Sequence, residues 1–492
     1  MTDTEFFDYI MLDFGVLILL RHDVRFRDEL KNKFNIFFGS RRGFMKAPRE
    51  YTIKEAKDRM RARELTARAL IESCLERIHQ REETLHAWVE VYKDEALEAA
   101  DRCDQAVQNG NWLGELHGIP MGVKDIIDVK GMWTRAGCEV YPASIAASDA
   151  PLIQSLRDEG AIFLGKTETT AFANNDPTIT RNPWNPDHTP GGSSSGSGAA
   201  VADRMCLAAL GSQTGGSLIR PAAYNGITGF KPTYGWVNMN KVIPVSWGLD
   251  NVGPHARTLE DAALICRILR RNITVPFLPM PVCDISEIPD FTNRKPRFGF
   301  LGEFLPAETS PDYIRHLSDV REAFEKAGAE VVDLKPPPSF EIVAPSHRAL
   351  FDTELAYYHR DLFETRKDDY PPGVRERIEA GKTISGCEYV EAVRQRRMFQ
   401  EDMIETLSTV DAAFMNASVT TAPFSLASTG SPAANVPWSF AGFPALSLPS
   451  GLDSNGLPFG VQVVGLPGGD DHLAAVGAWC EAVLDFSYSP VD

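Results

Sequence analysis

Between Thr189 and Thr233 the chain carries two Gly/Ser loops, Gly191-Gly192-Ser193-Ser194-Ser195-Gly196 and Gly215-Gly216-Ser217, separated by a small-residue segment and a short apolar run. Glycine lets a backbone turn where a Cβ would clash, and it lets successive N–H groups converge on one small volume. A place of that kind suits a developing oxyanion. By composition alone a Gly/Ser cluster reads as a flexible linker. Here the stretch from Ala199 to Leu210 is mostly apolar, and Pro221-Ala222-Ala223-Tyr224 follows the second loop, so both loops belong inside a packed fold. Neither cluster is followed by Gly-Lys-Ser/Thr, which removes a phosphate-cradling P-loop.

The loops have companions in a fixed order along the chain. Upstream lies Gly118-Ile119-Pro120-Met121-Gly122-Val123-Lys124-Asp125. Around and after the loops come Gly211-Ser212-Gln213-Thr214, Gly229-Phe230-Lys231-Pro232-Thr233, Gly442-Phe443-Pro444-Ala445 and Gly456-Leu457-Pro458-Phe459-Gly460-Val461-Gln462. With these motifs in register, the chain resembles the amidase signature family, the serine hydrolases of amides built on a Ser–Ser–Lys triad. Several separated motifs in order are far more specific than any one of them.

The resemblance implies an α/β fold with a central, mostly mixed twisted β-sheet covered by helices on both faces. It assigns residues 45–492 to one catalytic domain, with 300–420 forming much of the variable wall of the substrate pocket. It implies Ser217 as nucleophile, Ser193 as bridging serine after a cis Gly192–Ser193 bond, and neutral Lys124 as the proton acceptor. The backbone N–H groups of Thr214, Gly215, Gly216 and Ser217 are the expected oxyanion hole, and Gly192, Ser194, Gln213 and Arg220 the residues that shape the site. Neither a metal nor an organic cofactor is expected; the substrates are a small-molecule amide and water, and relatives often form homodimers.

Elementary chemistry asks for the same parts. An amide carbonyl is a poor electrophile and an amine a poor leaving group, so hydrolysis needs an activated nucleophile, an oxyanion cradle and a proton donor. An arbitrary lysine is a solvated charge. Lys124 sits among apolar neighbours in a short β-type segment from Met121 to Val129, where burial disfavours the ammonium and makes the amine a base near neutral pH.

The formal charge of −17 opposes a general nucleic-acid-binding surface, and no nucleic-acid partner is expected. With 492 residues, 43% of them hydrophobic, the chain can bury a large core. Its eight cysteines are dispersed without a CxxC or Cys/His spacing, and read as buried thiols in a reducing cytoplasm. Residues 1–44 form an N-terminal extension whose role the sequence leaves open. An apolar run from Tyr9 to Leu20, broken by Asp13, precedes the charged stretch Arg21 to Lys33. It has an acidic start unlike a secretory signal and is too short to span a bilayer, so no stable membrane insertion is expected. A start-site extension ahead of Met45 is favoured over an interfacial anchor or an extra docking helix.

Local patterns set the flanking elements. Thr52-Ile53-Lys54-Glu55 is a capping box opening a helix, and Leu70, Cys74 and Ile78 continue a helical period. Ala96 to Val107 reads as a helix ended near Asn109-Gly110, and Thr258 caps a helix running to Arg270. Strands are expected at Ala161–Leu164, Arg297–Leu301 and Glu330–Leu334, with helix from Ile314 to Ala327 and through most of 340–408. The aromatic residues there, Phe351, Tyr357, Tyr358, Phe363 and Tyr370, read first as helix packing.

Two positions depart from the family's pattern. Gln213 stands where many relatives have Asp, and Arg220 lies one place further from the nucleophile than their Arg. The two changes read as coupled, since losing a carboxylate would strand a nearby guanidinium unless it moved. Asn416-Ala417-Ser418 likewise replaces a Pro-Thr pattern. The first reading is a hydrolase of carboxylic amides, extending to aryl amides, esters or carbamates. The alternatives are the glutamine-hydrolysing subunit of a tRNA-dependent amidotransferase and a non-catalytic interaction protein on the same scaffold.

Overall fold

The motif-bearing segments become neighbouring strands of one sheet in the computed structural model, which describes residues 46–273, 275–285 and 288–490. The strands in chain order are β1 (Trp88–Val91), β2 (Pro120–Lys124), β3 (Trp133–Thr134), β4 (Ser144–Ile145), β5 (Ile162–Thr167), β6 (Ala208–Gln213) and β7 (Thr228–Lys231). They continue with β8 (Asn251–Ala256), β9 (Arg297–Phe300), β10 (Glu330–Asp333), β11 (Ala412–Asn416), β12 (Ala445–Leu452) and β13 (Pro458–Val464). β3 and β4 form a separate two-stranded sheet; the other eleven run β1-β5-β2-β6-β8-β7-β12-β13-β11-β9-β10. The sheet is mixed: β5, β2 and β6 are parallel, as are β11, β9 and β10, and the strands between these trios pair antiparallel.

The pleat puts helices on both faces. Phe230 of β7 pairs with Leu446 of β12, and Gly229 with Ser447, so the two pairs face opposite ways. On the Leu446 side a Cβ at Gly477 would strike Leu446 and Leu259, which places the helices Asp470–Leu484 and Leu259–Leu269 there. On the other side a Cβ at Gly229 would lie 2.7 Å from Ala222, so the short helix Ile219–Asn225 packs down on that glycine. β2, β5, β6, β7, β8, β11 and β13 are buried at every position, as expected for strands covered on both sides.

Helix starts follow the sequence closely. Thr52 Oγ1 accepts from the Glu55 amide at 3.0 Å while Glu55 Oε2 accepts from the Thr52 amide at 2.9 Å, the reciprocal capping box, opening helix Ile53–Arg61. Such a cap is worth about 1 kcal/mol. Thr258 Oγ1 accepts from the Asp261 amide at the start of Leu259–Leu269. The 340–408 stretch resolves into helices Val343–Arg366, Pro372–Thr383 and Gly386–Leu407. Phe351, Phe363 and Tyr370 are buried there as expected, whereas Tyr357 is exposed.

Some expectations are corrected. The β segment begun at Met121 stops at Lys124, because the Ile126 and Ile127 amides fold back onto the Lys124 carbonyl at 2.8 and 3.1 Å. Cys387 is exposed and Cys138 and Cys283 are only half-buried, so the thiols are not uniformly interior; all eight are free. The N-terminal extension lies outside the described residues, while the chain from Pro48 onward forms one compact unit. Among the described residues no helix is long and apolar enough to cross a membrane.

Candidate active site

Three elements converge on one buried amine. Lys124 ends β2, and β6 lies beside that strand with Val123 opposite Leu210. The first serine loop is pressed onto β6, with Gly211 leaving the room: a Cβ there would lie 3.0 Å from Ser194 Oγ. The loop then enters helix Ser195–Ala202, where Gly196 sits against the Ala87 carbonyl and the Glu168 amide with no space for a side chain. The Gly192–Ser193 peptide bond is cis.

Lys124 is fully buried, and its Nζ lies 2.7 Å from Ser193 Oγ, 2.8 Å from Ser212 Oγ and 3.0 Å from Ser194 Oγ. Burial holds the amine well below its ordinary ammonium range; Asp250 pulls the other way, and the Arg220 charge adds to the lowering. A neutral amine has two N–H donors and one lone pair. The Ser194 hydroxyl donates to the Ser212 carbonyl at 3.2 Å and accepts from the Ser212 amide at 3.1 Å, so its hydrogen is committed. That leaves Ser193 and Ser212 to offer a hydroxyl hydrogen to the lone pair. A strong oxygen-to-nitrogen relay can therefore run through Ser193 without any carboxylate.

Ser217 is placed differently. It is half-buried on the wall of a cavity of about 480 Å³, together with Thr214, Gly215, Gly216 and Arg220, and its hydroxyl makes no hydrogen bond to another described residue. The structure thus brings Lys124 and Ser193 into direct contact and sets Ser217 on the accessible side, with no hydrogen bond joining the two serines.

The N–H groups of residues 214–217 have no acceptor among the described residues, whereas those of Leu218 and Ile219 both donate to Gln213 Oε1 at 2.9 Å. The carbonyls of this loop are pinned from outside. Ser439 Oγ donates to the Gly215 carbonyl at 2.6 Å and accepts from Gln213 Nε2 at 3.0 Å. His347 Nε2 lies 3.0 Å from the Thr214 carbonyl, and burial pushes the imidazole down to about 4, so it is neutral and donates. Thr214 Oγ1 donates to Asp250 Oδ1 at 2.5 Å, while Asp250 Oδ2 accepts from the Val245 and Ser246 amides. Burial pushes the Asp250 carboxyl up to about 7 against those hydrogen bonds.

Gln213 therefore uses both ends of its amide, holding the first turn of helix Ile219–Asn225 and, through Ser439, the loop before it. Replacing Gln213 with leucine strands two buried N–H groups, and the expected loss of about 1–3 kcal/mol is read from urea unfolding midpoints. The predicted link between Gln213 and Arg220 is not what these side chains do. They share no hydrogen bond, and Arg220, 4% exposed, is buried without any ion pair. Its Nη2 donates to the Gly192 carbonyl at 2.6 Å and to Thr429 Oγ1 at 3.3 Å; moving it one place along the chain left the charge unpaired after all.

The same neighbourhood holds a buried ion pair that does not enter the cavity: Lys166 Nζ and Asp125 Oδ1 lie 3.0 Å apart, both side chains fully buried. Asp125 Oδ2 also accepts from the Arg135 amide at 3.0 Å, fixing the turn after Lys124. Asn416 Nδ2 donates to the Ser418 carbonyl at 2.8 Å, which closes the loop after β11 in place of a proline-based turn.

Sequence reasoning missed Ser212, although the motif that contains it was singled out, because nothing in spacing shows that the residue before Gln213 turns towards Lys124. It also missed Asp250, Ser439 and His347, which reach the loop across 36, 224 and 133 positions of chain. From 300–420 the cavity wall takes Phe304, Phe340, Val343, His347, Arg348 and Phe351, among others.

Comparison with known proteins adds an independent observation. The family model described as Amidase matches residues 69–474. A glutamyl-tRNA(Gln) amidotransferase chain of Thermosynechococcus vestitus is 32% identical over 456 residues, covering 84% of this chain and 94% of its own. A solved amidase superposes with a TM-score of 0.79 at 30% identity, covering 88% of this chain and 99% of its own. The peptide amidase from Stenotrophomonas maltophilia gives a TM-score of 0.75 at 26% identity, covering 90% and 98%. Relatives that carry glutamyl-tRNA(Gln) in their name leave the exclusion of nucleic acid, read from net charge, without support.

Proposed function

Because this chain belongs to the amidase family, enzymes that hydrolyse amide C–N bonds, we propose that it cleaves carboxylic amides through an acyl-enzyme on Ser217. The contact of a buried neutral amine with Ser193 Oγ at 2.7 Å is the observation that carries this reading. Ser193 passes its hydroxyl proton to the Lys124 lone pair and takes the proton of Ser217, whose Oγ bonds to the carbonyl carbon. The carbonyl oxygen becomes an oxyanion facing the free N–H groups of residues 214–217. When the C–N bond breaks, the proton returns through Ser193 to the departing nitrogen. Water then attacks the ester with the same relay as base, releasing a carboxylic acid and restoring Ser217.

The Ser193–Ser217 leg forms as substrate enters, since catalytic hydrogen bonds commonly tighten only in the complex. Aryl amides, esters and carbamates present the same acyl carbon and differ in the leaving group. A fluorophosphonate probe is expected to add its phosphonyl mass to the peptide containing Ser217, in step with loss of amide turnover. Absence of both labelling and turnover would support the non-catalytic reading.

A second reading, glutamine hydrolysis within an amidotransferase, is favoured by the identity to the glutamyl-tRNA(Gln) amidotransferase relatives. It requires ammonia release from glutamine to exceed that from simple amides.

A further inference from the structure

Three successive peptide planes of the loop that ends at Ser217 are each held by their carbonyl. His347 Nε2 donates to the Thr214 carbonyl at 3.0 Å, Ser439 Oγ to the Gly215 carbonyl at 2.6 Å, and the Arg220 amide to the Gly216 carbonyl at 3.0 Å. These peptide bonds are trans, so in each plane the N–H of the next residue points away from the group that holds the carbonyl. The three grips thereby set the directions of the Gly215, Gly216 and Ser217 N–H groups.

The grips differ in origin. The Arg220 amide belongs to the helix turn that follows the loop, and Ser439 also serves Gln213. His347 comes from the helix Val343–Arg366, inside the stretch that walls the cavity. Its ring is buried against Gly215, where a Cβ would lie 3.7 Å away, and it lines the cavity between Val343 and Phe351 at four-residue spacing on one helix face. A carbonyl only accepts, so Nε2 carries the hydrogen, and burial keeps the ring neutral.

Thr214 is held at a second atom by the same part of the molecule. Its Oγ1 donates to Asp250, which accepts the Val245 and Ser246 amides. Glu354, on the His347 helix, accepts from Ser246 Oγ at 2.9 Å and from the Gly248 amide at 2.8 Å. A closed circuit results, running from the Thr214 carbonyl through His347, the helix, Glu354, the 245–250 loop and Asp250 back to Thr214 Oγ1. Holding the side chain alone would leave the Thr214–Gly215 plane able to rotate, because Gly215 has no Cβ to oppose a flip. The His347 bond removes that freedom.

Resting on the acyl-enzyme reading above, we propose that His347 is a positioning residue for hydrolysis, its Nε2–H fixing the Thr214–Gly215 peptide so that the Gly215 N–H meets the developing oxyanion. An N–H fixed beforehand costs no reorganisation in the transition state, whereas a rotating one must be ordered there. The loss on removing the grip therefore belongs to kcat and not to binding of the ground-state amide.

Three substitutions separate that role from packing. His347→Phe keeps a ring without the donor, His347→Gln sets a side-chain nitrogen where Nε2 stands, and His347→Asn sets one where Nδ1 stands, short of the carbonyl. Each is assayed on the fastest of benzamide, hexanamide and 4-nitroacetanilide. Each is also titrated with phenylboronic acid, whose boron takes the Ser217 oxygen and becomes tetrahedral, with a boron-bound oxygen facing the same N–H groups. His347→Phe is expected to lower kcat about 10- to 100-fold with KM moved less than about 3-fold, and to weaken the boronic acid by a factor similar to the kcat loss. Calorimetric binding of benzamide to Ser217→Ala protein is expected to stay within about 3-fold when His347→Phe is added. His347→Gln should restore most of kcat and of the boronic acid affinity. Should His347→Phe fail to fold, His347→Asn against His347→Gln carries the comparison, with the loss expected in the first and not in the second.

Unchanged kcat and boronic acid affinity in His347→Phe overturn the proposal, as does a loss carried by KM and benzamide binding alone, which makes His347 a wall residue only. Failure of His347→Gln to recover what His347→Asn lacks overturns it too. The hydrolytic reading fails separately. Native protein that neither turns over these amides nor takes phenylboronic acid on Ser217 removes that reading and the His347 role with it, whereas full activity in all three variants removes the His347 role and leaves hydrolysis standing.

Discussion

Ser217→Ala is expected to lower kcat on an amide substrate on the order of 10⁵- to 10⁶-fold, the scale seen when a serine hydrolase loses its nucleophile. The structure predicts that this loss comes without a folding defect. The Ser217 hydroxyl is half-buried on the cavity wall and donates to no described residue, so its removal strands no partner. Changes of that kind usually move stability by less than about 0.5 kcal/mol. Thermal unfolding and single-turnover kinetics on the same preparation separate the two effects. Retained turnover in a folded Ser217→Ala protein would move the nucleophile elsewhere, with Ser212 and Ser193 the next hydroxyls to examine.

Lys124→Met is expected to lower kcat/KM about 10²- to 10⁴-fold, the usual contribution of a positioned general base. The pH profile identifies the cause. With the Lys124 value lowered by burial, the native enzyme keeps the amine neutral over a wider range and loses activity as pH falls through that lowered value. The methionine variant should show a residual rate without that acid limb. The same group has a signature in stability. In the unfolded chain the amine titrates near 10.5, so between the lowered value and 10.5 the unfolded state binds more protons. The lysine's contribution to stability therefore falls as pH drops through that window and levels off below it. Subtracting the unfolding free energies of Lys124→Met from those of the native protein across pH should give that slope. A flat difference would mean that the lysine is protonated in the fold.

Much of the fold was legible because its signals are local. The Thr52/Glu55 pair states where a helix starts through two hydrogen bonds three residues apart, and the structure makes both. Helices at Ala67–Leu85 and Pro311–Lys326 follow from apolar periods that any window of the sequence displays. β6 and β8 carry no clear strand signal in the sequence: both are buried at every position and contain several small residues, so they lack the alternation that marks a half-exposed strand.

The site divided along the same line. The two serine loops and the Gly-Val-Lys segment carry, in their order along the chain, the family resemblance that implies roles for Lys124, Ser193 and Ser217, and the first two of these are in direct contact. Spacing was silent on which hydroxyls surround the amine, on Gln213 holding two helix amides, and on Arg220 being buried with idle donors. Each of these depends on partners that arrive from distant segments, and on the dryness that packing creates. The sequence by itself determined which groups are present and which local turns present them. The tertiary structure alone decided which of those groups lose water and meet, and so which amine is uncharged and which guanidinium is left unpaired, since desolvation is a property of the assembled interior and not of any stretch of chain.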